Sequence, residues 1–322
     1  DHVGDQVDPK TGIPVYSLYG KSRKPSPEVL ENVDVLVYDI QDIGVRSYTY
    51  ISTMGLVLEA AAESDKEVII LDRPNPLGGK RVEGPLVEEG YHSFVSAFKI
   101  PYVYGLTCGE LALFLNEEGM LKDGKKCKLK VVPMKGWTRE KTFDQTGLHW
   151  VATSPHIPDY RAAFGYPATG IIGELNPNMI GIGYTLPFQL LVTESIDAHQ
   201  LSEAMNGLEL EGVLFRPVFI KPYYMAKKGV PLQGVQIHFT DLSRVRLTEI
   251  QFWFFQEARK LEPSFDPFQG KENRYAMFDK VVGSDQFRTS FQEDFNFEAL
   301  RELWSKDEEN FVRKSSKYYL YK

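Results

Sequence analysis

The segment Val35–Tyr50, VLVYDIQDIGVRSYTY, runs from an aliphatic burst directly into Asp39, Gln41, Asp42, Arg46 and a tyrosine-rich stretch. An apolar run that breaks into convergent polar groups is the pattern of a buried parallel strand delivering its carboxyl end to a ligand crevice. The pattern recurs at Glu67–Asn75, EVIILDRPN, where Ile69, Ile70 and Leu71 are followed by Asp72, Arg73 and Asn75. Two strands that end alike on either side of one helix define a site.

The rest of the first half fits that frame. A strand at Pro14–Tyr19 and a helical turn at Pro27–Asn32 precede the strand Asp34–Ile40. A long helix is expected over Tyr50–Ser64, with Ile51, Met54, Leu58 and Ala61 on one face. Then come the strand Val68–Leu71, a Gly/Pro-rich loop from Pro74 to Pro85, a helix at Gly109–Glu118 and the strand Leu129–Pro133. Strand–helix–strand repetition implies right-handed crossovers and a parallel sheet, hence an α/β, Rossmann-like subdomain. Such a sheet ordinarily has more strands, so a further segment is expected upstream of Asp1. At Trp150–Pro167 the alternation stops, and SPHIPDYRAAFGYP has the Pro, Gly and aromatic density of a connection between domains. Beyond it, Val213–Ile220 and Gly234–Thr240 alternate as antiparallel strands do. Helices are expected at Leu247–Leu261, Asn273–Val282 and Phe297–Lys314, the first of them buried because IQFWFF is apolar almost all round. The expected division is 1–158 for the Rossmann-like unit and 159–322 for a smaller α+β unit.

A net charge of -7 lacks the basic footprint of nucleic-acid binding, and no apolar run approaches the length of a membrane span. Cys108 and Cys127 are the only cysteines, expected at a helix start and in a Lys-rich turn, so two free thiols are favoured over a disulfide. No metal-ligand spacing, phosphate loop or dinucleotide fingerprint occurs, so no cofactor is expected. The opening DHVGDQVDPKTG is loop-like and begins without Met, as a processed product or a chain with a missing upstream piece would. The lack of a visible export signal therefore carries no weight.

Carboxylates dominate the candidate chemistry. Glu83 stands in VEGP, where core packing gives no reason for a charge. A catalytic acid or nucleophile and a solvated loop carboxylate account for it about equally. Glu174 lies between Ile171–Ile172 and Asn176 in a Gly-rich turn. Apolar surroundings raise a carboxyl pKa as a general acid requires, while a helix cap or loop acceptor would also be placed there. Asp39 and Asp42 frame Gln41, suited to sugar hydroxyls or to capping the next helix. Arg46 and Arg73 follow strand ends and could clamp an anionic group bidentately or pair internally with Asp39, Asp42 or Asp72. His156 in SPHIP is balanced between site and structure, whereas His238 reads as a strand histidine. Tyr48, Tyr50, Tyr91, Tyr102 and Tyr104 offer an aromatic floor for a sugar.

Taken in order, GIPVYSLYG, DVLVYDIQDIGVRSYTYISTM, LDRPNPLGG, VEGP, the G-x-T-x-GELA of Gly105–Ala112, SPHIP, GVQIHFTD and KYYLY resemble the exo-β-N-acetylmuramidase (NamZ-type) family. The resemblance runs over essentially the whole chain. It implies an exported bacterial enzyme that removes terminal N-acetylmuramic acid from the non-reducing end of peptidoglycan fragments. The cleft would lie between a Rossmann-like subdomain and a smaller one. Fold alone would have pointed to nucleotide binding. Members carry a Glu-His-Gly segment upstream of the position where this chain begins. Glu83 and Arg73 match the family outright. Where members have His before Gly-Met-Thr, this chain has Tyr104. Where they read Glu-Gly-Thr-Asn and then Ser-Glu-Gly-Arg-Gly-Thr, this chain has Gly173-Glu174-Leu175-Asn176, then Ile180 and Ile182 in place of a glutamate and an arginine.

On this resemblance Glu83 and Glu174 are the expected carboxylate pair, and Arg46 or Arg73 clamps the lactyl carboxylate. Asp39, Gln41, Asn75, Tyr104, His156 and Asn176 are expected around the sugar. Asp39, Gln41, Arg73 and Glu83 should line one large polar cleft at the junction of the halves. The alternative is a relative with weakened or lost catalysis that binds peptidoglycan-derived sugars, which Ile180 and Ile182 would favour.

Overall fold

The computed structural model describes residues 4–20 and 22–322. A two-residue antiparallel pair, β1 (Gln6–Val7) and β2 (Pro14–Val15), opens it, followed by the short α1 (Pro27–Leu30), capped by Ser26. The aliphatic runs become β3 (Val35–Tyr38) and β4 (Glu67–Leu71), joined by α2 (Tyr50–Glu63). Helix α3 (Cys108–Glu117) starts at Thr107, whose side chain accepts from the Glu110 N–H while Glu110 accepts from the Thr107 N–H. This reciprocal cap, T-x-x-E in the sequence, satisfies two N-terminal donors at once. It leads into β5 (Lys128–Val132).

β3, β4 and β5 form a parallel sheet in sequence order, with Val37 opposite Ile69 and Ile69 opposite Lys130. Tyr38, Val68 and Ile70, with the partly buried Leu36, Leu129 and Val131, share one apolar core with α2 and α3. The alternate residues face the other way, and Val35, Val37 and Val132 are exposed there, Val37 by 59%. β3 is thus an edge strand open on one face, not a strand covered on both. The reason is that α2 and α3 pack on the same face of the sheet.

The stretch expected as an irregular connection folds into α4 (Tyr160–Gly173), with Asp159 accepting from the Ala162 N–H at its N-terminus. Its internal Pro167 and three glycines hid it from pattern reading. The amide of Gln251 serves its backbone, donating to Pro167 O at 3.0 Å and accepting from the Ile171 N–H at 3.1 Å. Next come β6 (Leu190–Thr193), α5 (Ala198–Gly207), β7 (Val213–Ile220) and β8 (Leu232–Phe239), an antiparallel sheet of order β6–β8–β7. α6 (Ile250–Leu261) buries Phe252, Trp253, Phe254 and Phe255, as its composition implied. α7 (Glu272–Val282), α8 (Gln286–Asp294), α9 (Phe297–Ser305) and α10 (Glu308–Ser315) complete the chain, the last expected helix being divided in two near Lys306.

The halves are interleaved. Phe311 of α10 enters the core of α2 and α3, and Tyr318 and Tyr319 pack against it. The larger apolar core gathers around α4 and α6 but takes in Ile43, Val45, Tyr102 and Val103 from the first half. Both cysteines are free, as expected, and both are buried.

Candidate active site

Parallel register brings the ends of β3 and β4 side by side, so Asp39, Asp72 and Arg73 reach one edge. With the segment after β5 they border a crevice of about 370 Å³, whose walls include Lys135, Trp137 and Leu148. Arg73 Nε donates to Asp39 Oδ1 at 2.6 Å, with both side chains solvent-facing at 42% and 46% exposure. Among the described residues the terminal guanidinium nitrogens of Arg73 make no hydrogen bond. They are free to receive an anion.

Beneath this pair the polar groups are buried, apart from the half-buried Gln41. Gln41 Nε2 donates to Asp42 O at 2.6 Å and Pro74 O at 2.9 Å. Asn75 donates to Leu106 O and accepts from the Leu77 N–H, both at 3.0 Å, so it holds the loop after β4. Tyr104, fully buried, donates its hydroxyl to Asp42 Oδ2, and the Gly44 N–H donates to the same oxygen at 2.6 Å. Burial pushes the Asp42 carboxyl up to about 6 despite these donors. Asp72 accepts from Gly109 N–H at 2.8 Å and from the hydroxyls of Thr107 at 2.7 Å and Tyr321 at 2.6 Å. Burial raises its pKa as well.

Other residues nominated from sequence lie elsewhere. Arg46 is fully buried, and its terminal nitrogens donate to Pro85 O, Ile100 O, Val281 O and Val282 O, the first at 2.8 Å. Burial without a carboxylate partner lowers its pKa to about 9. This corrects the expectation of an anion clamp: its terminal donors are spent on carbonyls tying the first half to α7. Glu83 is 1% exposed. One carboxylate oxygen accepts from Arg81, the other from the Thr248 N–H at 2.8 Å and hydroxyl at 3.0 Å. Burial works to raise its pKa, but Arg81, Arg246 and the Thr248 N–H together hold it below the usual range. It borders a groove of about 770 Å³ between residues 77–83, 139–145 and 239–246. That groove takes its walls from both halves of the chain, but Asp39, Gln41 and Arg73, expected to line one cleft with Glu83, are not on it. They belong to the sheet edge.

Glu174 follows α4 and accepts from Arg274 Nη2 at 3.2 Å, its pKa raised by burial. Asn176 caps a short 3-10 turn by accepting from Asn178 N–H at 3.2 Å. His156 stacks on Tyr224, Nδ1 lying 3.3 Å from its hydroxyl. None of these borders the sheet-edge crevice. Ile180 and Ile182 are buried in the larger core and border neither cavity. Sequence reasoning missed Lys135 and Trp137, which follow β5 to the same sheet edge, and Tyr321, which the C-terminal tail brings against Asp72 and Trp137. Among the described residues no cluster of three or more His, Cys, Asp or Glu side chains is placed to hold a metal ion, and no helix is long and apolar enough to cross a membrane.

Residues 1–161 match the model of the N-terminal part of exo-β-N-acetylmuramidase NamZ, and residues 164–321 match that of its C-terminal part. The peptidoglycan β-N-acetylmuramidase NamZ of Bacillus subtilis (strain 168) is 40% identical over 321 residues, spanning 100% of this chain and 75% of that protein. Two crystal structures of DUF1343 family proteins from Bacteroides fragilis NCTC 9343 are similar. One superposes with a TM-score of 0.95 at 55% identity, covering 98% of this chain and 82% of the other. The second has a TM-score of 0.72 at 28% identity with the same coverage.

Proposed function

Since the chain belongs to the exo-β-N-acetylmuramidase NamZ family, we propose that it hydrolyses the bond holding a terminal β-linked N-acetylmuramic acid to the non-reducing end of peptidoglycan fragments. The observation that carries this to a place in the molecule is the solvent-facing Arg73 at the carboxyl edge of the parallel sheet. Its Nε is fixed by Asp39, and its two terminal nitrogens have the fork geometry that a carboxylate accepts. N-acetylmuramic acid differs from other amino sugars by a lactyl carboxylate, the group such a fork selects. Trp137 and Leu148 supply apolar wall for the ring, and Lys135 adds positive charge at the rim. The enzyme would work where peptidoglycan fragments arise, at or beyond the cell envelope.

The test is direct. The full chain should cleave a chromogenic β-glycoside of N-acetylmuramic acid, and the N-acetylmuramic acid–N-acetylglucosamine disaccharide, but not the N-acetylglucosamine analogue lacking the lactyl group. Arg73→Ala should raise the dissociation constant for N-acetylmuramic acid by the equivalent of about 2–5 kcal/mol, without lowering the melting temperature, because Asp39 remains hydrated. Equal turnover of both amino sugars would remove the clamp.

A further inference from the structure

We propose that Asp42 is the proton-donating carboxyl of glycoside cleavage, an inference that rests on the glycosidase reading above. The reasons are geometric. Asp42 sits four residues past the carboxyl end of β3, 4% exposed. Its Oδ2 is anchored by Gly44 N–H and Tyr104 OH, so the carboxyl cannot swivel. Its Oδ1 is buried with no partner among the described residues. A buried carboxylate oxygen left without a donor is costly, and such exceptions concentrate where function requires them. Asp42 borders a gap of about 10 Å³ that also has Gln41, Arg73, Pro74, Asn75 and Thr107 on its walls. Arg73 and Pro74 border the crevice too, so they form the partition between the carboxyl and the sugar site. On this proposal the Arg73–Asp39 pair must shift when the lactyl carboxylate binds, opening that partition.

The chemistry balances with water as the only co-reactant. The Asp42 carboxyl gives its proton to the glycosidic oxygen while the C1–O bond breaks, its electron pair staying on that oxygen. Water adds its oxygen to C1 and releases a proton, which restores the carboxyl. A general acid must hold its proton near the working pH. Burial pushes Asp42 up to about 6, with Tyr104 and Gly44 opposing. The titratable groups facing it are Tyr38 on β3, Tyr104, Cys108 on α3 and Tyr166 on α4, whose own pKa values are all raised by burial, together with Arg73 at the partition. Tyr104 is the positioning residue here.

The experiment compares leaving groups. Asp42→Asn keeps the shape and an acceptor for Gly44 and Tyr104. It should cut turnover of the disaccharide by at least about 10²-fold while cleavage of a nitrophenyl glycoside, whose leaving group departs without a proton, falls far less. Tyr104→Phe should move the basic limb of the kcat/KM profile to higher pH, since it removes a hydrogen bond that favours the ionised form. Equal losses on both substrates, or none on the disaccharide, overturn the assignment. A parent chain that cleaves neither substrate removes the glycosidase reading instead. Asp42 is then judged by carbon NMR: its carboxyl resonance, identified by its loss in Asp42→Asn, should titrate near 6 and shift with N-acetylmuramic acid. A resonance that ignores the sugar overturns the proposal independently of turnover.

Discussion

Glu83 and Asp42 are both buried carboxylates whose surroundings push them in opposite directions. Glu83 meets Arg81 and Thr248 and is held ionised, its pKa below the ordinary 4.5. A depressed folded-state pKa contributes stability above the unfolded value that is lost as the pH falls through the folded one. Glu83→Gln should therefore cost stability at pH 7, as much as the ~3–5 kcal/mol of breaking a buried ion pair, read as a lower melting temperature whose gap from the parent narrows below pH 4.5. Lost cleavage at an unchanged melting temperature would instead put Glu83 in the chemistry. Asp42 has the reverse sign. Its pKa rises from 3.8 to about 6, so its favourable contribution is complete below 3.8 and lost as the pH rises through about 6. Asp42→Asn should consequently melt above the parent at pH 8 and approach it near pH 4. A variant that melts lower at both ends would mean that Asp42 is a structural hydrogen-bond hub. Glycosidic function at the expense of stability is the trade expected of an active-site carboxyl.

At the scale of elements, α4 shows why part of the fold escaped sequence reading. Its Gly165, Pro167 and Gly170 imitate a loop, and the compensating amide of Gln251 arrives from the start of α6, some 80 residues away. Gln251 is fully buried and uses both ends of its amide, accepting from Ile171 and Ile172 N–H while donating to Pro167 and Thr248 carbonyls. Gln251→Leu leaves those groups without that partner in a dry interior, at about 1–3 kcal/mol for each one that finds no replacement. The expected result is a reduced denaturant midpoint with m unchanged, and faster amide exchange at Ile171 and Ile172. An unaffected exchange rate would show that α4 needs no outside partner. By contrast β3, β4 and β5, helix α3 and the pair β7–β8 were legible, because aliphatic runs, helical spacing and alternation are local signals. The same locality limited the site. Asp39 and Arg73 were visible at strand ends, but Arg46 and Glu83 looked like site charges until their carbonyl and threonine partners, more than 150 residues distant, were in place.

Over the whole molecule the two halves are fastened by buried polar contacts rather than by a linker. Arg46 donates to the α7 carbonyls, Arg81 to Leu242 and Val245 carbonyls, and Arg246 pairs with Glu308, which accepts from the Gly84 N–H at 3.0 Å. The tail after α10 then runs back across the first half. Leu320 N–H donates to Glu110 at 2.9 Å, the Lys322 carbonyl accepts from Arg139 N–H at 3.0 Å, and Tyr321 bridges Asp72 and Met134 N–H while its ring packs edge-on against Trp137. These contacts fix the crevice wall and the core of α2 and α3 together. Two independently stable domains would melt in two steps, whereas halves coupled this way should unfold in one cooperative transition. Calorimetry should therefore show a single peak whose calorimetric and van't Hoff enthalpies agree. Ending the chain after Lys306 removes α10 and the tail, withdrawing Phe311 from the first core and freeing Asp72 and Glu110 of their tail donors. That truncated chain should split the peak, the earlier transition belonging to the first half, and should lose N-acetylmuramic acid binding along with it. One undivided peak at the parent's temperature would show that the tail only decorates the surface it crosses.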